Sequence, residues 1–257
     1  MKVCKILWST NRLEYLVPTL KSQRDMLDFS GCEVEGIFID DMPKDRHDGT
    51  MYELAKMFGF TEIVLHEKNM GLPHMWNSTF EMLKYRAYDY VYLSEDDVVF
   101  NQPVKIADLA QILHDHWNFS QVCLTRQKWY DFEEETQPLE SDIILDKAQN
   151  LSTQYRVELS DQYFWSLASF FPRSMADIPH REMTGEKNLS EYVVAAALKQ
   201  MEMKTCKLKS SEGKNLVTHI GEYSIGKRAE PGDPRYEDFA VFDPETKYSS
   251  RHGYKWN

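Results

Sequence analysis

Short apolar runs alternate with stretches whose apolar residues recur at helical spacing, and several of the runs stop abruptly at polar groups. Lys5–Trp8 reads as a strand ending at the loop Ser9-Thr10-Asn11-Arg12. Pro18 lacks an amide proton, so it is placed in the first turn of a helix running to about Leu27. Ile37-Phe38-Ile39 is a second strand, ending at Asp40-Asp41, and the charged loop Met42–Gly49 leads to a helix near Met51–Phe58. Ile63-Val64-Leu65 is a third strand. Met75, Thr79, Met82 and Leu83 fall at helix spacing within Leu72–Tyr88. Tyr90-Val91-Tyr92-Leu93 is a fourth strand, ending at Glu95-Asp96-Asp97.

Strands separated by helices predict an α/β fold with a doubly wound, mainly parallel sheet. Ligands of such sheets bind beyond the carboxyl ends of the strands. Thr10-Asn11-Arg12, Asp40-Asp41, Asn69-Met70-Gly71 and Glu95-Asp96-Asp97 all belong to that edge. One polar strand end carries little information, but four aimed at one edge mark a site.

The second half is less regular. Ile106–Trp117 reads as a helix, Val122-Cys123-Leu124 as a short strand, and Trp129–Asp146 as a surface excursion. Aromatics gather at Tyr163-Phe164-Trp165 and Phe170-Phe171. A helix is predicted over Leu189–Met201 and a closing strand at Leu216-Val217-Thr218-His219. No repeat or low-complexity linker divides the chain. It is read as one domain over 1–257: a regular half (1–100), a less regular half (101–220), which includes a smaller mixed sheet, and an irregular tail (221–257).

Composition narrows the classes. With 257 residues, 42% hydrophobic and 28% charged, the chain can bury a full core and is not a disordered segment. The four cysteines show no CxxC spacing, which excludes a zinc knuckle and predicts reduced, buried thiols. No apolar stretch approaches the ~20 residues of a membrane span, and the first residues do not read as a signal peptide, so a cytoplasmic protein is expected. The net charge of −11 argues against a general basic coat for nucleic acid. Residues 199–257, however, carry 11 Lys+Arg against 9 Asp+Glu, so the negative charge lies before them and a local basic surface is allowed.

Glu95-Asp96-Asp97 sets three carboxylates side by side after an apolar strand. Mutual repulsion makes that costly unless a cation or solvent compensates. Hard oxygen donors of this kind suit Mg²⁺ or Mn²⁺, which keep positions open for water and phosphates. The alternative is a solvated acidic turn.

The order strand–Thr-Asn-Arg, strand–Asp-Asp, Asn-x-Gly-x5-Asn, strand–Glu-Asp-Asp resembles the GT-A-fold glycosyltransferases of the family-2 type, which use nucleotide sugars. The resemblance covers residues 1–100 and extends loosely beyond them. It implies a metal-dependent transferase using a nucleotide sugar, UDP-linked in the first instance, with Mn²⁺ or Mg²⁺. The acidic triplet is similar to the family's DxD-type motif. That likeness makes Asp97 the metal ligand, sets Asp96 toward the donor's ribose or sugar, and counts Glu95 with the donor site. Thr10, Asn11 and Arg12 join the donor site, and Asp40 or Asp41 becomes the carboxylate near the nucleoside. Asn69, Gly71 and Asn77 match the segment that lines the donor pocket. After the acid the family is Gly/Ser-rich, whereas this chain has Met42-Pro43-Lys44. Thr218-His219-Ile220-Gly221 resembles the late element that supplies a histidine to the metal. Lys227 and Arg228, just beyond it, would neutralise the diphosphate.

An inverting transferase also needs a carboxylate base. The resemblance points to Glu191, at the start of the predicted helix, with Asp161 as second candidate; the family's usual residue is Asp, often as Glu-Asp, where this chain has Ser190-Glu191. The acceptor is either a glycan or lipid-linked sugar, or a 5-hydroxymethylpyrimidine in bacteriophage DNA, the latter prompted by the Tyr-, Lys- and Asp-rich style of the chain. Two other classes compete. A nucleotidyltransferase would carry a Gly-rich basic loop after the first strand, and Ser9–Arg12 has no Gly. A silent nucleotide-sugar-binding module would keep its ligand without turnover.

Overall fold

A computed structural model describes residues 1–10, 12–41, 49–67, 70–125, 140–145, 151–160, 164, 166–178, 189–221, 242–243 and 248–249; for 140–145, 189–193, 242–243 and 248–249 it describes the backbone alone. The first half runs β1 (Lys2–Ser9), α1 (Leu13–Met26), β2 (Leu27–Asp28), β3 (Glu33–Asp40), α2 (Thr50–Met57), β4 (Glu62–Leu65), α3 (Leu72–Lys84), β5 (Tyr90–Glu95) and β6 (Val98–Phe100). It continues with β7 (Val104–Lys105), α4 (Ile106–Asp115), β8 (Phe119–Leu124), β9 (Glu140–Leu145), β10 (Tyr155–Ser160), β11 (Ala168–Pro172), α5 (Leu189–Gln200), β12 (Lys204–Ser210) and β13 (Val217–His219).

Nine strands form one sheet in the order β4-β3-β1-β5-β11-β8-β12-β10-β9. The first four are mutually parallel. β11 then runs antiparallel to both β5 and β8, so the mixed half continues the parallel half within one sheet. Register decides where the site falls. Ser9 pairs with Asp40, Asp40 with Leu65, and Trp8 with Glu95, so the polar ends of β1, β3 and β5 come out level.

Both faces of the sheet are covered, which explains why its strands read as nearly unbroken apolar runs. On one face, Leu7 and Phe38 pack with Leu16 and Leu20 of α1 and Met51 of α2. On the other, Ile6, Trp8 and Phe171 pack with Trp76 and Phe80 of α3 and with Val194 and Leu198 of α5. Trp76 is fully buried, edge-on to Trp8 at 4.9 Å between ring centroids and 5.5 Å from Phe164. α4 covers the mixed half through Leu109, Ile112 and Leu113. The four cysteines are free thiols, and burial pushes the Cys4 thiol up to about 12.

Several sequence expectations need correction. Pro18 lies inside α1, not in its first turn. The helix starts five residues earlier because Tyr15, Leu16, Thr19, Leu20 and Gln23 form one buried stripe, and burying that stripe outweighs the single helical bond that proline removes. α3 stops at Lys84, short of Tyr88: Tyr85 is 80% exposed, whereas Tyr88 is buried just ahead of β5. α4 stops at Asp115, leaving Trp117 exposed. The surface excursion 129–146 contributes β9 at the sheet's edge, and its other residues lie outside those described. β10 and β12 were not anticipated. No helix among the described residues is long and apolar enough to cross a membrane.

Removing a ring from the centre of this packing leaves a void. Trp76→Ala is expected to lower the unfolding free energy by about 3–5 kcal/mol, whereas Met57→Ala on the surface should stay within about 0.5 kcal/mol. Urea melts of the two variants check this.

Candidate active site

β5 ends at Glu95, and the chain turns through Asp96 and Asp97 into β6. That turn is gripped from α1. Thr19 donates its hydroxyl proton to the Asp96 carbonyl at 2.8 Å and accepts the Val98 amide at 3.0 Å. The Asp96 carboxylate is 1% exposed. Its Oδ2 accepts the Ser9 hydroxyl and the Thr10 amide, each at 3.0 Å, and its Oδ1 is bonded to Nη2 of Arg12.

Asp97 faces two other groups. Its Oδ2 lies 2.8 Å from Nη2 of Arg12, and its Oδ1 lies 3.1 Å from Nε2 of His219. His219 arrives because β13 pairs antiparallel with β6, setting His219 opposite Val98. The next residues close over the acid: Ile220 donates its amide to the Asp97 carbonyl, and a Cβ at Gly221 would sit 2.0 Å from Asp97 Oδ2. Only glycine fits there.

Environment splits the two neighbouring acids. Burial drives the Asp96 carboxyl upward, against the pull of Arg12, and the charge on Asp97 adds to the rise. Burial acts on Asp97 in the same direction, but His219 and Arg12 overcome it and hold that carboxyl well below the usual range. Burial would lower the Arg12 guanidinium, yet Asp96 and Asp97 push it up, so it stays charged.

A second group sits one strand away. Asp41 is 1% exposed, and its Oδ1 accepts the Met70 amide at 2.9 Å and lies 2.8 Å from His66 Nδ1. Oδ2 accepts the Gly71 amide at 2.7 Å. Asp41 thus ties the end of β3 to the turn that opens α3, where Gly71 has a φ of +81°. Asp40, fully buried, occupies the neighbouring position at the end of β3.

The fold thus draws Thr10, Arg12, Asp96, Asp97 and His219 into one cluster. Asp40, Asp41 and Gly71 form a second, and Asn77 lies part-buried on α3. Glu95 accepts the Ser166 hydroxyl and acts through its charge on Arg12. Asn11, Asn69, Asp161, Lys227 and Arg228 lie outside the described residues, and of Glu191 only the backbone, in the first turn of α5, is described. Sequence reading missed Thr19, His66 and Ser166, and named Ser9 and Gly221 only as parts of the loop after β1 and of the Thr218–Gly221 element. Gly221 had a signal in its place two residues after His219; Thr19 and Ser166 had none.

The donors suit a hard divalent cation. Asp97 Oδ1 and His219 Nε2 stand 3.1 Å apart, paired with each other. No cluster of three or more His, Cys, Asp and Glu residues among those described is arranged to hold a metal. Two protein ligands match the way Mg²⁺ and its relatives bind, with substrate phosphates and water completing the shell.

No protein-family model and no curated protein matches the sequence. Solved structures do. TarS 1–349 of S. aureus in complex with UDP-GlcNAc superposes with a TM-score of 0.57 at 16% identity, over 87% of this chain and 60% of that one. The mannosyltransferase PcManGT from Pyrobaculum calidifontis, in complex with GDP-Man and Mn²⁺, gives 0.56 at 13%, over 87% and 58%. GalNAc-T7 with UDP, GalNAc and Mn²⁺ gives 0.56 at 11%, over 86% and 44%. This chain therefore spans less than two thirds of the length of each, and the likeness identifies the fold as GT-A.

Thr19→Val removes a hydroxyl that satisfies two backbone groups of the acidic turn while keeping the side chain's shape. It is expected to cost about 1–3 kcal/mol, because a buried amide loses its acceptor. Gly221→Ala is expected to cost about 1–3 kcal/mol by forcing the Asp97 carboxylate aside. Chemical denaturation measures both.

Proposed function

We propose that this chain is a divalent-cation-dependent glycosyltransferase moving a sugar from a nucleotide sugar, UDP-linked in the first instance, to an acceptor hydroxyl. One observation carries the reading: the anionic Asp97 and His219 converge at the carboxyl edge of a GT-A sheet. The ligands named for similar structures support the donor class, UDP-GlcNAc in one, GDP-Man with Mn²⁺ in another, UDP with Mn²⁺ in a third.

In this reading Asp97 and His219 hold Mn²⁺ or Mg²⁺. The bound ion offsets the negative charge of the departing nucleoside diphosphate. Asp96 keeps the loop after β1 in place through Ser9 and Thr10, and so presents that loop to the donor. Asp41 fixes the turn at Gly71, and Asp40 or Asp41 is the carboxylate near the nucleoside. Lys227 and Arg228 add positive charge at the diphosphate. Glu191, in the first turn of α5, takes the proton of the acceptor hydroxyl, with Asp161 as the alternative base. Departure of the diphosphate and bonding of the acceptor oxygen to the anomeric carbon then complete the transfer.

Thermal-shift measurements with nucleoside diphosphates and nucleotide sugars, with and without Mn²⁺, test the donor half. A ligand at one hundred times its Kd should stabilise the fold by about 2.7 kcal/mol. The gain should require Mn²⁺ and be absent from Asp97→Ala. Lack of metal-dependent stabilisation by every nucleoside diphosphate would sink the reading. For the acceptor, glycans and hydroxymethylcytosine DNA are the two arms of one mass-spectrometric assay; the arm that gains the mass of a sugar identifies the class.

A further inference from the structure

Arg12 stands where a cation is wanted. It rises from the loop between β1 and α1 and is the one buried arginine among the described residues, at 7% exposure. Its Nη2 serves both acids, bonded to Asp96 Oδ1 and lying 2.8 Å from Asp97 Oδ2. The guanidinium carbon also sits 5.3 Å from the centre of the Tyr15 ring.

The two contacts are not equivalent. Asp96 has further partners in Ser9 and Thr10, so its place in the fold is secured from several sides. Asp97 is shared between Arg12 on one oxygen and His219 on the other. A divalent ion approaching Asp97 and His219 therefore meets a carboxylate already neutralised by a guanidinium. Like charges a few ångströms apart repel strongly where water is scarce. Both cations cannot hold Asp97 fully at the same time.

We infer that Arg12 is a built-in competitor of the divalent cation: it neutralises Asp97 while the cation is absent and releases that carboxylate, keeping its bond to Asp96, when the cation binds. This rests on Asp97 and His219 being the cation's ligands. It makes bare metal bind weakly. A nucleoside diphosphate relieves the crowding of positive charge, so metal and donor favour each other's binding, and Arg12 is a positioning residue for both.

The test titrates Mn²⁺ alone, without nucleotide, and follows the electron paramagnetic resonance signal of free Mn²⁺. Wild type, Arg12→Gln, Arg12→Lys and Asp97→Asn are compared, with folding checked by circular dichroism. Arg12→Gln should bind Mn²⁺ at least about tenfold more tightly than wild type, since the competing charge is gone. Arg12→Lys keeps the charge without the planar fork and should stay nearer to wild type. Asp97→Asn should not bind. Equal or weaker binding by folded Arg12→Gln, with binding still lost in Asp97→Asn, overturns the competition and leaves the cation site standing. Absence of binding in every protein overturns both. Should Arg12→Gln not fold, ¹⁵N spectra of arginine-labelled wild type decide instead. The Arg12 guanidinium signal, assigned as the one missing from Arg12→Lys, should shift in step with bound Mg²⁺; an unmoved signal at saturation overturns the inference.

Discussion

Two adjacent carboxylates, Asp96 and Asp97, are almost sealed from water, at 1% and 3% exposure, and the carboxyl edge of the sheet is organised around that fact. A buried charge without partners costs several kcal/mol. Here the partners come from separate elements: Ser9 from β1, Arg12 from the loop after it, Thr19 from α1 and His219 from β13. Ser9 and Arg12 stand 87 and 84 residues from Asp96 in sequence. Meeting the needs of one turn therefore fastens four parts of the chain together. A folded chain that failed to bring any one of them would leave a charge or a backbone group unsatisfied.

The same economy appears at Asp41. Its two oxygens serve the Met70 and Gly71 amides and His66, so a single side chain connects β3, the end of β4 and the start of α3. Two buried acid clamps, after β3 and after β5 on either side of β1, thus frame this edge of the sheet. A rigid frame of this kind suits a reaction in which holding a charged donor in place accounts for much of the catalysis. The acid that holds the frame after β5, Asp96, differs from the one proposed to meet the cation, Asp97.

Much of the parallel half was legible in the sequence, because each strand there is an apolar run ended by polar residues, and burial on both faces makes that pattern strong. Local rules failed where tertiary packing overrode them. Pro18 looked like a helix start, yet the buried stripe from Tyr15 to Gln23 carries the helix past it. Tyr88 continued a helical spacing but joins the core beside β5. β10 and β12 do alternate, with Tyr155, Val157 and Leu159 buried and Arg156 and Glu158 less so, but they are short and charged. Their pairing with each other, tied by Lys209 and Glu158, and with β8 and β9 identifies them as sheet.

The sequence by itself determined the α/β alternation, the level row of polar strand ends and the residue types able to meet a cation and a phosphate. These follow from periodicity and from the order of strands, which are local properties. The tertiary structure alone decided which partners each acid meets. Asp96 and Asp97 are neighbours of one chemical type, as are Asp40 and Asp41, and nothing local distinguishes them. Their surroundings diverge because charge and hydrogen bonding act through space: Ser9 and Thr10 converge on Asp96 and His219 on Asp97, with Arg12 shared between the two, and these partners meet only when the sheet is assembled.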